Sequence, residues 1–124
     1  MIDFKNGAVF KLSKTKKFSN QDTVQPLFID GEELIGEYQA LRDFVIFTNK
    51  RIIAVNVQGI TGKKKDFSTL PYSKIQAFSI ETAGVLDLDS ELELYFSGLG
   101  KVKFEFTGES DIVKLGKLIS EKIL

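Results

Sequence analysis

The side chains with which this chain can do chemistry are carboxylates, lysines, arginines and three tyrosines, because its 124 residues contain no His and no Cys. That inventory removes thiolate nucleophiles, disulfides, iron–sulfur clusters, the Ser–His–Asp triad and the usual zinc ligands. Acid–base catalysis would fall to a buried carboxylate pair, a Lys or a Tyr. The spacing offers no such pair that a surface location does not explain. Neither catalysis nor a cofactor is therefore expected, and binding is.

Four groups are candidates for binding. Lys63, Lys64 and Lys65 follow Gly62 and offer ammonium groups and backbone amides to an anion. They do not form a phosphate-binding P-loop: the glycine that motif needs five residues before Gly62 is Val57, and no Ser or Thr follows the lysines. Gly59-Ile60-Thr61-Gly62 has the glycine spacing of a KH loop, but that loop joins helices and this one joins strands, so nucleic acid is not expected. The cluster reads as a solvated hairpin tip that discourages stray strand pairing, as a contact with a protein partner or a second copy, or as an anion site.

Asp87, Asp89 and Glu91 are two apart, which puts all three on one face of an extended chain. Hard oxygen ligands suit calcium, but Ser90 and Leu92 break the calcium-loop pattern, so no metal is expected. A basic partner, in this chain or the next, relieves their repulsion better. Arg42 and Asp43 precede an apolar strand and Arg51 opens the following one. They form a polar network with Glu81 across the sheet, as structural ion pairs, or reach a neighbouring subunit. Tyr72, after Pro71, packs with its hydroxyl at the rim.

The elements that position these groups are mostly strands. Residues 1–25 show no strong period and read as a short helix or two packed on the body, with a junction at Pro26 and the main domain over 26–124. Residues 33–39 read as a first strand. Residues 43–48 are apolar on both faces, which predicts a central, covered strand. Asn49 marks a hairpin, since Asn tolerates the left-handed backbone such turns use. Residues 51–58 place Ile53, Val55 and Val57 on one face. Further strands fall near 66–70 and 75–82. Leu92, Leu94 and Phe96 point in from one strand, and Val102, Phe104 and Phe106 from the next. Ile112, Leu115, Ile119 and Ile123 then recur at helical spacing. Ser110 or Thr107 can cap that helix, with Glu109 and Asp111 at its positive end. The fold class is mainly β (α+β), about seven antiparallel strands capped by a C-terminal helix, as a barrel or a small sandwich.

The net charge of zero conceals blocks of alternating sign. Residues 1–17 hold five Lys against Asp3; residues 18–41 hold five acids and no base. Residues 42–74 hold seven bases against two acids, and residues 75–100 again five acids and no base. Folding either scatters such blocks over solvated faces or builds faces of opposite potential that favour pairing with a second copy. The first residues are too polar for a signal peptide, and no run approaches the roughly 18 apolar residues of a membrane span. The cytoplasm is the default location.

Several runs together resemble the bacterial pleckstrin homology domains. They are Arg42-Asp43 with Phe47-Thr48-Asn49-Lys50-Arg51-Ile52-Ile53, Gln58-Gly59-Ile60-Thr61-Gly62-Lys63-Lys64, and Leu70-Pro71-Tyr72-Ser73-Lys74-Ile75. Phe78-Ser79-Ile80-Glu81-Thr82-Ala83-Gly84 and Asp87-Leu88-Asp89-Ser90-Glu91-Leu92 continue the match in order. The resemblance runs from Leu34 to the end of the helix. It implies a pleckstrin-homology-like barrel and a self-assembling module that forms closed rings by edge-strand pairing. The phosphoinositide site of the eukaryotic branch does not carry over, because the first hairpin offers only Arg42.

The leading expectation is thus a non-enzymatic module that assembles with itself, with an unidentified protein partner also open. An anionic-lipid or phosphate binder using Lys14, Lys16, Lys17 and the Lys63–Lys65 tip is the alternative, and membrane binding ranks below assembly.

Overall fold

Four consecutive apolar residues open Phe44–Thr48 and leave this strand no solvent face, and in the computed structural model all five of its residues are buried. The structure describes residues 1–5, 10–15, 18–108 and 111–124. Among the described residues there are eight strands: β1 (Phe10–Lys14), β2 (Leu34–Gln39), β3 (Phe44–Thr48), β4 (Arg51–Gln58), β5 (Lys64–Pro71), β6 (Ile75–Glu81), β7 (Ser90–Phe96) and β8 (Gly100–Phe106). A one-turn helix α1 (Gln21–Val24) precedes β2, and α2 (Ile112–Ile123) ends the chain.

The strands form one sheet in the order β5-β4-β3-β2-β1-β8-β7-β6. Two antiparallel meanders, β2 to β5 and β6 to β8, are joined by β1, which is antiparallel to β2 and parallel to β8. Among the described residues the count is eight where about seven were expected, and one pairing is parallel. The extra strand lies in the N-terminal segment, read from sequence as a short helix or two; α1 is the helix described there. Five residues carry too little alternation to announce a strand, and the partner strand β8 lies at the far end of the sequence.

The sheet folds over itself. Phe47 and Ile52 from one meander meet Leu92 and Phe104 from the other in a single core, with the Phe47 and Phe104 rings 6.4 Å apart. The inward sets read from the β7 and β8 periods are all buried. On the outer face of β2–β4, Ile46, Ile53 and Val55 form a second cluster under Val24 and Phe28. β4 is thus covered on both faces, since Ile52 and Ala54 face the main core.

Two local devices differ from expectation. The β3–β4 hairpin has no residue of positive φ; Thr48 Oγ1 instead accepts the amides of Lys50 and Arg51, both at 3.0 Å, and the Asn49 side chain bonds Gly31 O and Glu33 N. The N-cap of α2 is Asp111, without a side-chain cap bond, and Thr107 bonds Leu12 O and Ser13 Oγ. Ser110 and Glu109 lie outside the described residues, as do Lys16 and Lys17. Across the helix, Gly116 lets β6 approach: a Cβ there would meet Ile80 Cδ1 at 3.3 Å. Among the described residues no helix is long and apolar enough to cross a membrane.

Candidate functional site

The basic cluster sits where β4 turns into β5. Gly59 and Gly62 both take positive φ there, which glycine adopts at no steric cost. Lys63 and Lys64 are exposed, whereas Lys65 curls back to donate to Gly62 O at 2.8 Å. Arg42, from the β2–β3 turn, donates to Gly59 O and so ties the two tips together. Each tip carries a wholly exposed aliphatic side chain, Leu41 on one and Ile60 on the other. An open groove of about 620 Å³ runs beside them, lined by Lys11, Leu41, Arg42, Asp43 and Asn56 among others.

The residues grouped with Glu81 are not brought to it. Asp43 accepts the Val57 amide at 2.9 Å and the Asn56 amide group at 3.2 Å, closing the end of the β3–β4 hairpin. Arg51 pairs with Glu32, whose side chain is fully buried. Glu81 instead ends β6, in register with Glu91 of β7. Register and strand order set these partners, and both are tertiary facts.

Glu32 is the residue that sequence reasoning missed. It sits in an acidic bend, Asp30-Gly31-Glu32-Glu33, that reads as surface. Thr48 Oγ1 donates to it at 2.7 Å and the Ile29 amide at 3.1 Å, besides Arg51. Burial acts to raise its pKa, but these bonds and the Arg51 charge outweigh burial and hold the carboxyl below its usual range. Glu37 was also passed over; it is buried and accepts Ser19 Oγ at 2.9 Å, the Asn20 amide at 3.0 Å and the Asn20 side chain at 3.1 Å.

Tyr72 does not place its hydroxyl at the rim. The side chain is buried and donates to Thr48 O at 2.7 Å, because the turn after Pro71 folds it under the β3–β4 hairpin. Burial, followed by the nearby Glu32 charge, pushes its ionisation well above the ordinary tyrosine range.

The three acids do not share a strand face. Only Glu91 lies in β7; Asp87 and Asp89 belong to the preceding loop, where the Asp89 amide donates to Asp87 Oδ1 at 3.0 Å. Glu91 pairs with Lys103 of β8 at 3.4 Å, and this bond and charge raise the lysine's pKa. Among the described residues no three acids are grouped to hold a metal ion.

What the arrangement offers is surface. β5 and β6 are the ends of the strand order, each paired with one strand among the described residues, the first opening with lysines and bonded through Asp66 and Ser68 to Met1 and Ile2, the second closing with Glu81.

The sequence is similar along nearly its whole length to two proteins of Bacillus subtilis. It is 37% identical over 121 residues to the uncharacterised protein YjqA, covering 96% of this chain and 97% of that one. It is 28% identical over 115 residues to the uncharacterised protein YozO, covering 93% and 96%. Its fold is similar to the crystal structure of a pleckstrin-homology-domain protein from Shewanella loihica, with a TM-score of 0.77, 34% identity and coverage of 93% of this chain and 99% of that one. A pleckstrin homology domain from Shewanella amazonensis superposes with a TM-score of 0.65 at 36% identity, covering 90% and 91%. Residues 3–123, and with them β1 and α2, match the family described as Bacterial PH domain, and the chain belongs to that family.

Proposed function

We propose that this chain is a cytoplasmic, non-enzymatic assembly module that self-associates through the free edges of its sheet. The observation that carries the reading is the pair of edges, β5 and β6, that pair with no further strand among the described residues and carry opposite charge at their outer ends. A free edge presents a row of backbone donors and acceptors ready to pair with another chain. Pairing β5 of one copy antiparallel to β6 of the next sets Lys64 at the start of β5 near Glu81 at the end of β6. Pro71, at the other end of β5, suits an edge, where a missing amide costs least. Because the two edges differ, the contact is heterologous; it repeats head to tail and closes into a ring when the rotation allows.

Charge reversal tests this reading. Lys63→Glu with Lys64→Glu should weaken assembly in sedimentation velocity, and Glu81→Lys added to them should restore it. No change in either variant would contradict edge pairing.

A second reading has its own observation. Leu41 and Ile60, exposed on tips tied by Arg42 and flanked by Lys63 and Lys64, suit an anionic lipid surface. Co-sedimentation with phosphatidylserine vesicles that is lost in Leu41→Ser with Ile60→Ser would favour it. Retention in the supernatant at low salt would dismiss it.

A further inference from the structure

Between β6 and β7 the chain reverses tightly: the Gly84 amide donates to Asp87 O at 2.6 Å. Val85 and Leu86 are left as the central pair of this tip, 94% and 99% exposed. Loop tips usually carry polar or turn-forming residues, and neither position here takes the positive φ that would demand Gly or Asn. Two aliphatic side chains held in water there have no packing role within the chain, and a broken local rule of this sort is expected where a surface has work outside the fold. Leu88 and Val113 of α2 are also exposed and line one hollow beside the tip, so the apolar surface continues onto the helix. Asp87 and Asp89 adjoin Leu88 in the chain.

On the other flank of α2 a groove of about 320 Å³ opens against β2. Ile35, Tyr38, Leu115 and Leu118 supply its apolar lining. Gly36 lies in its wall, where a Cβ would come within 3.2 Å of the Tyr38 ring. Lys114 and Lys117 stand on its rim, exposed and without an ion-pair partner among the described residues. Of the two acids that line it, Asp111 is taken by Lys14 at 2.5 Å and by the Tyr38 hydroxyl at 3.5 Å, which leaves Glu121 at the far end. The volume equals roughly ten waters, room for side chains and not for a folded element.

We infer that the Val85–Leu86 tip of one copy seats in the β2–α2 groove of another, with Asp87 and Asp89 facing Lys114 and Lys117. The inference rests on the self-association proposed above and names a contact within it. Apolar surface meets apolar surface at the centre, and opposite charges meet at the rim. Ile112 and Val113 flank the tip side of α2, while Lys114, Lys117, Leu118 and Glu121 flank the groove side. Tip and groove therefore lie on different faces, and the contact runs head to tail.

Light scattering after size exclusion tests it with two sets of exposed substitutions: Leu86→Asp in the tip, and Lys114→Glu with Lys117→Glu in the groove. Each variant alone should fall to the 13.9 kDa chain mass with its circular dichroism spectrum unchanged, since edge pairing without the docked tip does not hold the copies together. An equimolar mixture should give twice that mass, since each variant carries the half the other lacks. Leu86→Ser, a milder tip change, should lose assembly as well. Wild-type mass in the tip variants, or a mixture that stays monomeric, overturns the docking inference and leaves self-association standing. A monomeric wild type overturns both.

Discussion

The Arg51 guanidinium grips the Glu32 carboxylate with two prongs, Nε to Oε2 at 2.9 Å and Nη2 to Oε1 at 3.0 Å. The same guanidinium donates to Leu27 O at 2.6 Å and to Thr69 Oγ1 at 3.1 Å. One side chain at the start of β4 thus pins the segment leading into β2 and reaches β5. A planar fork suits this bidentate geometry, and a lysine would not reproduce it.

Removing one partner leaves the other buried and unpaired. Arg51→Met should cost about 3–5 kcal/mol in urea unfolding at neutral pH. Glu32 has a folded pKa below its ordinary 4.5, so its contribution is present above that value and fades as pH falls through the folded pKa. The Arg51→Met penalty should accordingly shrink below pH 4.5, where Glu32 takes up a proton and needs no counter-charge. A penalty that is independent of pH would contradict this role.

Glu37 holds Ser19 and Asn20 against β2 with no cation on it among the described residues. Glu37→Ala should lower stability by about 1–3 kcal/mol, the range for stranding buried partners. Amide exchange over residues 18–27 should rise more than exchange in β7 and β8. Uniform acceleration would show that the cluster does not anchor α1 locally.

Tyr38 and Tyr72 are both held well above the ordinary tyrosine value of 10.0, mainly by burial, with the Asp111 and Glu32 charges adding respectively. Their neutral forms stabilise the fold fully below that value, and the contribution is lost as pH rises beyond it toward the folded pKa. In a Tyr95→Phe variant, tyrosinate absorbance should therefore rise together with the loss of circular dichroism at alkaline pH. Absorbance that rises while the fold persists would contradict the burial of these hydroxyls.

What could be read from sequence was what repeats locally. The unbroken apolar run of β3, the period-two sets of β7 and β8, and the Ile112–Leu115–Ile119 stripe of α2 are each written within a few residues. β1 escaped because its parallel partner β8 is supplied by the opposite end of the chain. Glu32 escaped because a buried acid inside an acidic bend looks like surface until strand register brings Arg51 to it. The Val85–Leu86 tip escaped because its exposure follows from the Gly84–Asp87 reversal, which spacing alone does not reveal.

The central claim, that this module assembles with itself, is tested most directly by the light-scattering mass of the wild-type chain at tens of micromolar and low salt. The account predicts a mass several-fold above 13.9 kDa that falls as salt screens the charged contacts. A mass of 13.9 kDa under those conditions would contradict it.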